Sequence, residues 1–255
     1  MVAPTRRAKR SRRPPPRSEG VSQATLVEEC ILVLSLSLLA SAVYAIISLT
    51  SAPVKGATVF VVPQVGLATQ LANFAFGLAP VWLVVFLLRR SGEGLDQIGL
   101  AFNRPRRDLA TGVVLFVIVG AAGIGIYLLS VAVGVNRFVV PVPPLGHWWT
   151  IPVLFLNAAQ AALLEEVIVV GYLITRLQQL RLSEPAAVGA SALLRGAYHL
   201  YQGWGGFAGN LALGLFFGLF FTRTRRTWPL VVAHFLLDVG AGTGYILFRK
   251  HLPGS

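Results

Sequence analysis

The chain has 255 residues, of which 55% are hydrophobic and only 13% are charged. Soluble domains carry about 25% charged residues, so this composition, with a mean hydropathy of +0.69, excludes an ordinary soluble protein and favours a membrane protein. The formal net charge of +12 does not indicate nucleic-acid binding, because the basic residues cluster at the ends of apolar runs. The single cysteine, Cys30, excludes an internal disulfide framework and a thiolate metal cage.

Residues 1–25 form a basic, proline-rich leader that cannot bury apolar area, and we expect it to be disordered in the cytoplasm. The apolar run that follows is too long for the hydrophobic region of a signal peptide, so it predicts a first membrane span. We expect one membrane domain over 26–250 with an all-α, polytopic fold of seven or eight transmembrane helices around a polar chamber. The predicted spans are 26–49, 65–88, 109–134, 150–176, 186–202, 207–222 and 228–248.

The distribution of positive charge predicts the orientation of these spans. With the N-terminus in the cytoplasm, seventeen Lys and Arg side chains lie on the inner side and four on the outer side, with Arg195 inside the membrane. We therefore predict a multi-pass protein of the plasma membrane with a cytoplasmic N-terminus. The basic tail after the last span does not follow the positive-inside rule. An eighth, partial span is therefore an alternative to the count of seven.

Two adjacent glutamates, Glu165 and Glu166, are the only charged residues between Arg137 and Arg176. The run around them is apolar enough to cross a bilayer, where one charged side chain costs about 2.5–3.5 kcal/mol on insertion scales. Two neighbouring carboxylates also repel each other. Such a pair is a candidate functional site, and its partners should lie on other spans.

Two other predicted spans carry polar residues in pairs spaced four apart, so that each pair shares one face of its helix: Arg195 with His199, and His234 with Asp238. From the helical rise, the glutamates and both pairs lie roughly 9–20 Å from the cytoplasmic end of their spans. These residues can therefore meet in one chamber. The structural alternatives are satisfied core histidines and a Glu166–Arg195 ion pair that only fixes the helix register.

The order of these residues resembles that of the CAAX protease and bacteriocin-processing family of intramembrane glutamic endopeptidases, also called the abortive-infection family. Its signature is roughly EExxxR, FxxxH and HxxxN on three helices, and residues 150–245 contain EEVIVVGYL at 165–173, RGAYH at 195–199 and HFLLD at 234–238. Three positions depart from the signature: Val170 replaces the arginine, Arg195 the phenylalanine and Asp238 the asparagine. The first two changes suggest that a guanidinium has moved from one helix to another, from which it can still pair with Glu166.

The resemblance implies a peptidase in which Glu165 and His199 activate a water molecule without a cofactor. His234 and Asp238 would stabilise the oxyanion or the leaving group, and Glu166 and Arg195 would support the site. The substrate would be a peptide or a membrane protein, prenylated or not, reached within the lipid bilayer.

Three alternatives remain open from the residues. Glu165, His199 and His234 could bind zinc, although no HExxH motif is present. The same polar residues could relay protons in a proton-coupled transporter, although no internal repeat is visible. The three departures from the signature also allow a catalytically silent membrane scaffold.

Overall fold

The computed structural model describes residues 21–50, 59–60, 66–135, 138–139 and 142–249. Most of the leader therefore lies outside the described residues, and the first helix begins at Gln23, inside the range predicted as leader. The α-helices are α1 (Gln23–Ser35), α2 (Leu38–Thr50), α3 (Leu67–Gly77), α4 (Ala79–Arg90), α5 (Pro105–Ala132), α6 (Thr150–Glu165), α7 (Leu173–Gln179), α8 (Glu184–Tyr198), α9 (Trp204–Thr224) and α10 (Trp228–Phe248).

Shorter elements complete the described chain. A π-helix over Glu166–Tyr172, called the π segment below, joins α6 to α7, and 3₁₀ turns cover Leu95–Ile98 and Leu200–Gln202. Two strands of two residues each, β1 (Val59–Phe60) and β2 (Phe138–Val139), pair in parallel. The predicted all-α polytopic class is confirmed, since all other regular structure in the described ranges is helical.

Within the described ranges, five stretches are long and apolar enough to cross a membrane: Leu67–Arg90, Pro105–Tyr127, Thr150–Gln179, Trp204–Thr224 and Trp228–Phe248. The predicted count of seven is not confirmed. The expected first span is divided into α1 and α2 at Leu36 and Ser37, where the Ser37 hydroxyl donates to the Val33 carbonyl at 2.6 Å. The expected fifth span is α8, which has only 15 residues and contains the buried Arg195.

The central helix of the bundle is the continuous stretch α6, π segment and α7. All seven residues of the π segment are buried, and consecutive side chains pack in different directions. Val167 and Ile168 join a cluster with α1 and α4, Val169 joins one with α2, and Val170 joins one with α5, α8, α9 and α10. An apolar surface on every side is what a helix in the middle of a bundle requires.

One end of the bundle, here called the basic end, contains Arg176, Arg225 and Arg226, three of the basic residues that the sequence assigned to the inner side. Arg225 donates to the Gln97 carbonyl at 2.6 Å, and Arg226 pairs with Asp108. Arg176 is fully buried and donates to Glu93 at 2.5 Å and to Gln179 at 2.7 Å. Glu29 of α1 lies 3.4 Å from the same guanidinium, so the middle of α1 packs near this cluster.

Helices α8 and α9 pack closely because small residues line their contact. A Cβ atom added at Gly214 would lie 2.8 Å from the Ala192 Cα and 3.3 Å from the Arg195 Cδ, and one at Gly218 would lie 2.8 Å from a Val188 methyl group. These glycines therefore set how near α8 can approach α9, and with it the position of Arg195.

We expect Gly214→Ala to destabilise the protein relative to Gly209→Ala, its control on the same helix. Both changes give the same gain in helix propensity. The new methyl group at position 209 would lie 3.6 Å from Ile126, an ordinary contact, whereas the one at 214 meets backbone. The difference in unfolding free energy should be about 1–3 kcal/mol, measured by thermal unfolding in detergent. Equal midpoints for the two variants would contradict the close α8–α9 approach.

Candidate active site

Four elements meet around the two glutamates. Glu165 ends α6 and Glu166 begins the π segment; the last turn of α8 faces them with Arg195, and the first half of α10 faces them with His234. π-Helical turns occur often at functional sites. The structure brings Glu165, Glu166, Arg195 and His234 into direct contact, while His199 and Asp238 lie at the edge of this group.

Glu166, Arg195 and His234 form the buried core of the site. The Glu166 Oε1 accepts from the Arg195 Nη1 at 2.7 Å and from the His234 Nδ1 at 2.7 Å, so the ion pair expected between Arg195 and Glu166 is present. The Arg195 Nη2 lies 3.3 Å from the same His234 nitrogen. Because Nδ1 uses its hydrogen for the carboxylate, this last approach is a close contact and not a hydrogen bond. Glu166 is completely buried and Arg195 is 1% exposed.

Glu165 differs from Glu166 both in its hydrogen bonds and in the exposure of its side chain. Its Oε2 accepts from the Tyr198 hydroxyl at 2.8 Å and lies 3.3 Å from the Arg195 Nη2. Its Oε1 makes no hydrogen bond to the described residues, and its side chain is 11% exposed, whereas the Glu166 Oε2 is unbonded within a completely buried side chain. Glu165 therefore has one bonded oxygen and one unbonded oxygen in a side chain that keeps some exposure.

His199 lies at the C-terminal end of α8 and is half-buried. Its Nδ1 lies 3.0 Å from the Arg195 carbonyl. A carbonyl only accepts, so Nδ1 carries the hydrogen, and in the neutral ring the lone pair is on Nε2. Among the described contacts, His199 and Glu165 are not hydrogen-bonded to each other, although the sequence analysis expected them to act together.

Asp238 is the most open member of the group. Its Oδ2 lies 3.5 Å from the His234 Nε2, and its side chain is 39% exposed. An ionised carboxylate can only accept hydrogen bonds. Its position beside His234 suits orientation of the imidazole better than direct donation to an oxyanion.

Three side chains of the site are of the types that bind metal ions. Donor atoms of Glu165, Glu166 and His234 lie within 4.8 Å of one another, a set that differs from the alternative named from the sequence, because Glu166 takes the place of His199. The Arg195 guanidinium contacts all three of these residues. It already supplies the positive charge that a metal would bring, so a resident cation does not fit these residues as they are arranged.

Two features of the site were missed by the sequence analysis. Tyr198 was quoted within RGAYH but was given no role, although its spacing of three residues from Arg195 places both on one face of α8. The π segment has no recognisable pattern in the sequence, since its residues read as an ordinary apolar helix.

Together, the fold and the site define a multi-pass membrane protein with a buried glutamate, arginine and histidine centre. Residues 147–240 match the family model described as type II CAAX prenyl endopeptidase Rce1-like, and this segment contains every site residue named above. This match supports the assignment to the CAAX protease family that the sequence motifs predicted, and, with the membrane helices, it supports a membrane protease. No curated protein and no solved structure gave a significant match.

Arg195 and Glu166 should be energetically coupled. Removing one partner of a buried ion pair costs about 3–5 kcal/mol, whereas replacing both with apolar residues can be nearly neutral. We expect Arg195→Leu and Glu166→Leu each to destabilise the protein and the double variant to recover much of the loss. The measurement is a double-mutant cycle on unfolding in detergent.

The matched control for this cycle is Arg195→Leu combined with Glu93→Leu. Glu93 pairs with Arg176 at the basic end, so these two losses should add. Additive losses for Arg195 and Glu166 as well would contradict their ion pair.

Proposed function

We propose that the protein is an intramembrane glutamic endopeptidase in which Glu165, together with His199, activates the water that attacks a peptide bond. The main support for this proposal is that the two glutamates differ in their hydrogen bonds and in their exposure. Both Arg195 and His234 bond to Glu166, which is completely buried, while Glu165 keeps an unbonded oxygen and some exposure. A general base must be able to reach the proton that it abstracts, and only Glu165 meets this condition.

His199 supplies the second basic group near the water. Its Nδ1 is bonded to the Arg195 carbonyl, so the neutral ring offers Nε2 as an acceptor. In this mechanism the water lies between the Glu165 Oε1 and the His199 Nε2, loses its proton to Glu165 and attacks the scissile carbonyl carbon. Glu165 then returns the proton to the departing amine.

His234 stabilises the oxyanion that forms during the attack. Since its Nδ1 donates to Glu166, it can stabilise the oxyanion only as the doubly protonated imidazolium, through a hydrogen on Nε2. Asp238 lies next to that nitrogen and orients it. This role differs from direct donation by the family's asparagine, which a carboxylate at the same position cannot supply in its ionised form.

Arg195 and Glu166 hold the centre together without taking part in bond making. The guanidinium offsets the charge of both carboxylates, which would otherwise repel each other in a medium of low dielectric. Arg195 thereby serves in place of the arginine that the family signature has at the position of Val170, and its presence argues against a catalytically silent scaffold.

The substrate class proposed from the family description is a prenylated C-terminal peptide, with other membrane-associated peptides as the alternative. We also propose that the protein lies in the plasma membrane with its basic end and its N-terminus in the cytoplasm. The basic end gathers Arg176, Arg225 and Arg226, and positive charge favours the cytoplasmic side.

Glu165→Gln should abolish proteolysis while the protein still folds, because the amide keeps the shape of the side chain but is not a base. His199→Ala should also reduce the rate, and a lost general base typically costs a factor of about 10²–10⁴. The assay is cleavage of a fluorogenic farnesylated CAAX peptide, and of an unprenylated membrane peptide, in liposomes.

The controls for these variants are Glu184→Gln and His147→Ala, which make the same changes outside the site. Both should retain wild-type rates. Full activity in a folded Glu165→Gln protein would exclude the glutamic mechanism. The proton-coupled transporter and the catalytically silent scaffold would then be the candidate functions.

A strong chelator should leave proteolysis intact, because the Arg195 guanidinium already contacts the three residues that could bind a metal. The measurement is peptide cleavage with and without chelator, with metal content determined on the purified protein. Stoichiometric zinc that leaves together with activity, and restores it when added back, would establish the zinc-dependent alternative.

A further inference from the structure

Tyr198 is a buried phenol in direct contact with the proposed base. It lies in the last turn of α8 with only 4% of its surface exposed, and its hydroxyl donates to the Glu165 Oε2 at 2.8 Å. Neither the family signature nor the sequence analysis assigns this residue a role.

Tyr198 and Arg195 contact the same oxygen of Glu165. The phenol hydroxyl donates to Oε2 at 2.8 Å, and the guanidinium forms an ion pair with the same oxygen at 3.3 Å. The terminal torsion of a glutamate is broad and nearly two-fold, which means that a carboxylate without such contacts samples many orientations. A hydrogen bond and an ion pair on one oxygen select the orientation that leaves the other oxygen unbonded.

The phenol ring is itself held firmly. Tyr198 packs in an apolar cluster with Leu38 and Ala42 of α2 and with Val169 of the π segment, and its ring centroid lies 4.7 Å from that of His199. Arg195, Tyr198 and His199 are spaced i, i+3 and i+4, so one turn of α8 presents a guanidinium, a phenol and an imidazole on one face.

We propose that Tyr198 is a positioning residue of the protease, which fixes Glu165 through Oε2 so that Oε1 faces the attacking water. This inference rests on the proposed function of Glu165. Loss of the hydroxyl should let the carboxylate rotate away from the reactive orientation in part of the population. The rate of the chemical step should then fall while substrate binding is unchanged.

The test is Tyr198→Phe, with Tyr172→Phe as the matched control. Tyr172 is also a buried tyrosine whose hydroxyl donates to a glutamate, Glu29, at 3.4 Å, but it lies outside the site. With the two liposome peptides named above, Tyr198→Phe should lower kcat about 10- to 100-fold with little change in KM. Tyr172→Phe should retain the wild-type kcat.

A second arm replaces Tyr198 with p-aminophenylalanine, which keeps the ring and an N–H donor at the same position. It should restore much of the lost kcat if the hydrogen bond is what matters. A third arm combines Tyr198→Phe with Glu165→Gln in a cycle on thermal unfolding, which reports the contact without any substrate.

The outcomes separate the two proposals. Wild-type kcat in Tyr198→Phe, equal losses in both tyrosine variants, or no rescue by the amino analogue would each overturn the role of Tyr198, and so would the absence of coupling to Glu165. An inactive Glu165→Gln in the same experiment would leave the proposed function standing. A fully active Glu165→Gln, or a wild type that cleaves neither peptide, would remove both.

Discussion

Two carboxylates on consecutive residues of a membrane helix repel each other, and each loses most of its hydration. The Arg195 guanidinium is the interaction that makes this arrangement tolerable, because it lies against both of them and against His234. Its position depends on the close approach of α8 to α9 at Gly214. The charge balance of the site therefore depends on how two helices pack, and the orientation of every other polar group in the site follows from it.

The π segment explains how one helix can contact so many neighbouring helices. It begins at Glu166, directly after Glu165, and its seven residues are buried on all sides. A π turn holds more residues per turn than an α turn, so the helix faces before and after it are offset. The glutamates can thus face α8 and α10 while Arg176, in α7, faces Glu93 and α1 at the basic end.

The sequence predicted the membrane class, the motif order and the ion pair of Arg195 with Glu166, because charged residues in apolar spans have few possible partners. The predicted number of spans is not confirmed. The run 26–49 is apolar throughout, but Ser37 can bond back to the Val33 carbonyl, and hydropathy does not register such a break. It also missed the contact of Tyr198 with Glu165, since a tyrosine in an apolar helix reads as a packing residue until the facing carboxylate is seen.

Two buried arginine centres in the same bundle differ in a way that bears on function. Around Arg176, both oxygens of Glu93 are bonded, one to the guanidinium and the other to Gln179, and the side chain is only 5% exposed. Around Arg195, one oxygen of Glu166 has no hydrogen-bond partner among the described residues, and the Glu165 side chain is 11% exposed. A carboxylate whose two oxygens are both bonded is suited to stabilising a fold, whereas one with an unbonded oxygen is better placed to accept a proton from a bound molecule.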